Sequence, residues 1–160
     1  MKSEKNGDNK TIRNLNELLR GELAALETYG QALSAMTNDP EAEQDLRECQ
    51  ESHRDRVERL RLEIVERGGK PDETSGAWGV FAKAVEGSAK TIGASTAISV
   101  LEAGEDHGLR EYEEALPSLD GAARDIVSTA IYPQQIRTHS IMSALKHRQD
   151  SPSAGASARP

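Results

Sequence analysis

Aromatic side chains are scarce in this chain: three tyrosines, one tryptophan and one phenylalanine make up 3% of 160 residues. Strands draw on aromatic and β-branched residues, and no run rich in them occurs, so a sheet is not expected. Cysteine is limited to Cys49, which excludes an internal disulfide and suits a reducing compartment. No eighteen apolar residues run together, and the first ten, MKSEKNGDNK, lack the apolar stretch of a signal peptide; the expected location is the cytoplasm, with no membrane partner. Positive charge is in deficit, 20 basic against 27 acidic residues and a net charge of -7. That balance repels phosphates, so nucleic acid is not an expected partner. What remains is one domain's length of chain, in which charged residues alternate with Leu and Ala in the manner of helices.

The apolar residues fall three and four apart in four long segments, predicting helices over 11–38, 41–67, 92–116 and 120–148. Residues 1–10 and 149–160 read as polar, disordered tails. The first stripe includes Leu15, Leu19, Glu22, Leu26, Tyr29 and Leu33, and the second Leu46, Cys49, His53, Val57, Leu60 and Ile64. Asp39-Pro40 is a stop followed by a capped restart. Gly68-Gly69 supplies the residue type that takes the left-handed conformation after a helix. The connection to the third helix, about 69–92, suits a crossover along a bundle rather than a tight turn. Trp78 and Phe81 are expected to pack that connection onto the outside of the bundle. Pro117 ends the third helix, and Pro133, inside the fourth, predicts a kink or bulge.

An internal repeat carries the functional information. GELAALETYGQAL from Gly21 and GEDHGLREYEEAL from Gly104 agree at Gly, Glu, Leu, Tyr, Ala and Leu. Two equivalent helical hairpins, related by a pseudo-two-fold axis, would bring Glu22 and Glu105 together in the core. A buried carboxylate is costly unless it is paired, protonated or bound to a cation. His53 lies on the second stripe and His139 between Ile136 and Met142 on the fourth. Glu22, His53, Glu105 and His139 thus form a candidate ligand set for one divalent Fe, Mn or Zn ion. Counted from the turn at Pro117, however, His139 lies about seven residues, or ~10 Å, beyond the level of Glu105, and Gln135 or Tyr132 lies nearer.

These residues, with the stretches LNELLRGELAALETY, RGGKPDETSG and the second GE…YEEAL block, resemble the ferritin-like superfamily. The likeness is closest to small stand-alone bacterial bundles of unassigned function. It implies an all-α, ferritin-like four-helix bundle with a long crossover between helices 2 and 3. In that superfamily a Glu from each of two helices and a Glu-x-x-His from each of the other two hold two metal ions. Glu22 with Tyr29, Glu105 with Tyr112, and the histidines His53 and His139 carry over. Gln50 and Ile136 stand where the bridging carboxylates would be. A two-metal oxidase requires those carboxylates, so the resemblance implies no ferroxidase activity and at most a single ion.

Two readings therefore stand side by side. The first is metal binding in the bundle core, for metal handling or a stress response, with Tyr29, Tyr112 and Gln50 around the ligands. The second is a non-catalytic assembly or interaction module, possible as a homodimer or higher homo-oligomer, in which Glu22 and Glu105 bond Tyr112 and Tyr29 or pair with a histidine. Left without a cation, the two glutamates are expected to take up a proton.

Overall fold

A computed structural model describes residues 2–35, 39–76 and 94–151, which hold the bodies of all four expected helices, while the expected ends at 36–38 and 92–93 lie outside the described residues. They are α1 (Lys2–Ala35), α2 (Pro40–Glu66), α3 (Ala94–Ala115) and α4, which is continuous through Gly121–Ile126, Val127–Ile131 and Tyr132–Asp150. No strand occurs among the described residues. Trp78 and Phe81 lie outside the described residues, as does the expected C-terminal tail beyond Ser151. The expected N-terminal tail needs correction: α1 begins at Lys2 rather than Thr11, because the Lys- and Glu-bearing lead-in accepts helix once the apolar stripe has nucleated it.

The punctuation acts as the residue types dictate. The Asp39 side chain accepts the Ala42 N–H at 3.0 Å, with Pro40 in the first turn of α2. At the other end Gly68 adopts φ +73°, and the N–H groups of Gly68 and Gly69 return to the carbonyls of Val65 and Ile64. That is a Schellman closure. Gly69 is further constrained by space, since an added Cβ would sit 2.8 Å from Ile12 Cγ2. After α3 the chain makes a 3₁₀ turn at Leu116–Ser118, and Asp120 caps α4 by accepting the Ala123 N–H. The bulge expected at Pro133 takes the form of a π turn at Val127–Ile131, with the Tyr132 N–H bonded to the Val127 carbonyl.

Cross-helix bonds define the topology. Tyr29 reaches Glu105 while Tyr112 reaches Glu22, so α1 and α3 run antiparallel. Ser52 meets Gln134 while Asp45 meets Arg148, so α2 and α4 are antiparallel too. α2 and α3 are therefore parallel: the chain leaves α2 at one end of the bundle and re-enters α3 at the other. The core divides into two apolar clusters. One is built on Leu15, Leu19, Leu60, Ile64 and Ile131, the other on Leu46, Cys49, Ile98, Met142 and Leu145. A layer of buried polar side chains separates them.

A candidate site in the polar layer of the core

Glu22, His53 and Glu105 meet in this layer, each no more than 3% exposed. His53 stands between the two carboxylates, with Nδ1 2.7 Å from Glu22 Oε2 and Nε2 2.9 Å from Glu105 Oε1. Tyr29 donates to Glu105 Oε1 at 2.5 Å and Tyr112 to Glu22 Oε1 at 2.6 Å. The crossed pairing follows from the repeat, because each tyrosine lies two turns along its own helix and so reaches the opposite glutamate.

His139 does not join them. Its Nε2 contacts Asp106 Oδ1 at 2.7 Å, and its side chain is 26% exposed. Ile136 is exposed, and Gln50 is half-buried beside Gly30 with no bond to the carboxylates. The π turn is the physical reason, since its extra residue turns the following face of α4 by ~100°. Gln135 and Thr138 face inward instead, and both donate to Glu105 Oε2 at 2.8 Å.

Arg56 is the residue that stripe reasoning misses. It is fully buried, donates from Nε to Glu22 Oε1 at 2.9 Å and from Nη1 to Ser52, and brings Nη2 to 2.6 Å from His53 Nδ1. Its position in SHRDRVER disguises it as part of a solvated face. The one signal is spacing: Arg56 follows His53 by three and so shares its face.

The electrostatics correct the expected proton. Burial pushes Glu22 up, but the charges of Arg56 and His53 outweigh it and hold its carboxyl at about 2. Glu105 is likewise lowered, by His53, Tyr29 and Arg56 against burial. Both remain carboxylates. For His53, burial and Arg56 favour the neutral ring while the two glutamates favour the cation, and the net shift is upward. The guanidinium of Arg56 and the His53 ring, drawn toward its charged form, thus face the two carboxylates. Burial pushes the Cys49 thiol to about 12, so it acts as a small apolar filler.

Glu22 Oε1 and both oxygens of Glu105 thus have donors, Glu22 Oε2 lies against His53 Nδ1, and the cation beside them is Arg56. Among the described residues no three His, Cys, Asp or Glu side chains are arranged to hold a metal ion. The donor set does not fit the metal that the resemblance implies, because a guanidinium lies where Glu22 would present its free lone pairs. A pocket of about 70 Å³ between α1 and α3, walled by Ala24, Ala25, Gly104 and Gly108, reaches this layer at Glu22, His53 and Glu105. No helix among the described residues is long and apolar enough to cross a membrane.

No curated protein and no solved structure matches this chain. A family model described as "Domain of unknown function (DUF2383)" matches residues 10–118, from the start of the apolar stripe of α1 through α3 to the 3₁₀ turn. Glu22, His53, Arg56 and Glu105 fall within that match, Gln135 and Thr138 beyond it, and the chain belongs to the DUF2383 family.

Proposed function

We propose that this protein is a ferritin-like bundle that works without a metal: a non-catalytic helical module whose polar core layer is a structural ion-pair network. One observation carries the reading. Arg56 supplies, from within the chain, the positive charge that two buried carboxylates require. The parallel α2 and α3 and the symmetric Glu22–Glu105 pair support kinship with the ferritin-like scaffold. A core whose charged groups are mutually satisfied holds the helices in one register, and such a module acts through its helical surfaces, by assembly or by engaging a partner.

Elemental mass spectrometry of protein purified without chelators or a nickel column tests this. Well under one equivalent of Fe, Mn or Zn per chain is expected, with the same melting temperature with and without EDTA. One equivalent or more, lost to EDTA together with stability, would return the metal-handling reading.

A further inference from the structure

We infer that His53 with Arg56 on α2, and Gln135 with Thr138 on α4, occupy the places of the two Glu-x-x-His pairs of a di-metal carboxylate bundle, so that this core is a metal centre rebuilt as an ion-pair layer. The inference rests on the metal-free reading and adds a register to it.

The contacts assign the positions. A di-metal bundle takes one Glu from each of two helices and a residue pair at i and i+3 from each of the others, all directed inward. Here α1 and α3 give Glu22 and Glu105. The i residue of α2, His53, spans both glutamates, as a bridging group must. The i+3 residue, Arg56, bonds Glu22. On α4 the i residue Gln135 and the i+3 residue Thr138 both bond Glu105. Every member of the six-residue pattern is present in spacing and burial, and each bonds one of the two glutamates or is one, though only His53 spans both; the side chains at four of the six positions have changed. Each of the six is at most 3% exposed.

Charge explains why the changes belong together. Four carboxylates and two neutral imidazoles carry four negative charges, which two divalent ions balance. Two carboxylates need no second divalent ion: Arg56 places a full positive charge beside Glu22, and the His53 ring stands between both carboxylates. Gln135 and Thr138 are neutral donors, which suits Glu105 once no second ion lies beside it. The pocket between α1 and α3 reaches both glutamates.

The test reverses the four changes in the full chain: His53→Glu, Arg56→His, Gln135→Glu and Thr138→His together. The variant is exposed to Mn(II) or Zn(II) alone, desalted, and measured for bound metal by elemental mass spectrometry and for helicity and melting by circular dichroism with and without EDTA. A variant that binds between one and two equivalents, and melts lower when chelated, is the expected result. A register control, Gln50→Glu with Ile136→Glu, restores Glu-x-x-His ahead of His53 and His139 and is expected to bind no more than the unaltered protein. The assignment is overturned if the fourfold variant binds less than one equivalent, whether it folds or stays unfolded in metal, or if the control binds as much. The two readings fail separately: metal in the unaltered protein contradicts the metal-free core, whereas an inert fourfold variant contradicts the register.

Discussion

Glu22 and Glu105 occupy equivalent places in two copies of one helical motif, yet they are satisfied by different chemistry. Glu22 has a full charge beside it, the guanidinium of Arg56, together with His53 and Tyr112. Glu105 shares His53 but is otherwise held by the neutral donors Tyr29, Gln135 and Thr138. The motif is repeated and the electrostatics are not. α2 carries both the guanidinium and the imidazole of the layer, so the stability of the layer depends more on α2 than on α4.

The sharpest way to break this asymmetry is Arg56→Met. Glu22 would keep its burial and lose its permanent counter-charge, a situation that costs about 3–5 kcal/mol. Chemical denaturation should show a large fall in the midpoint, with little change in slope. A fall under 1 kcal/mol would mean that Arg56 does not compensate Glu22.

Smaller, and dependent on pH, is the contribution of His53. Its folded pKa lies above the ordinary 6.5, so the folded state holds that proton more tightly than the unfolded state. Its contribution is full below about 6.5 and is lost as pH climbs through the raised folded value. Stability should decline there by up to ~1.4 kcal/mol per pH unit, and His53→Asn should flatten that limb. On the acid side Glu22 acts in the opposite sense: its folded value of about 2 lies below the ordinary 4.5, so stability is present above 4.5 and is lost as pH falls toward 2. Melting temperatures across pH 2 to 10 check both limbs.

Thr138→Val tests the neutral side. It removes one of two donors to Glu105 Oε2, and Gln135 remains, so a loss of about 1 kcal/mol is expected by denaturation. A loss as large as that of Arg56→Met would abolish the asymmetry. The smallest effect belongs to the exposed Arg59–Asp55 pair on the outer face of α2: Arg59→Ala should change stability by no more than about 0.5 kcal/mol. That contrast separates the buried arginine from its solvated neighbours on the same helix.

Much of the molecule could be read from residue order. Three-and-four spacing, with Asp39-Pro40, Gly68-Gly69 and Pro117, located the helices, because caps and breakers act locally. The polar start of α1 was hidden, since it has no apolar stripe of its own and gains its helix by extension from Thr11. The repeat located Glu22, Glu105, Tyr29 and Tyr112, and the second stripe located His53. Arg56 escaped notice because an arginine among Arg54, Asp55 and Glu58 reads as surface, and only a packed neighbour such as Glu22 reveals otherwise. Thr138 gave no signal, and His139 rather than Gln135 reads as facing inward, because a π turn shifts the inward face without marking the sequence beyond Pro133. The distance along the chain from Pro117 does put Gln135 near the level of Glu105, where its side chain is found.

The central claim, that Arg56 serves as the cation of a metal-free core, is tested most directly by a double-mutant cycle on Arg56→Met and Glu22→Met, with stabilities from denaturant unfolding. Each single change should be strongly destabilising and the double variant should recover most of the loss, with a coupling of about 2 kcal/mol or more. Additive losses, with no coupling between the two positions, would contradict it.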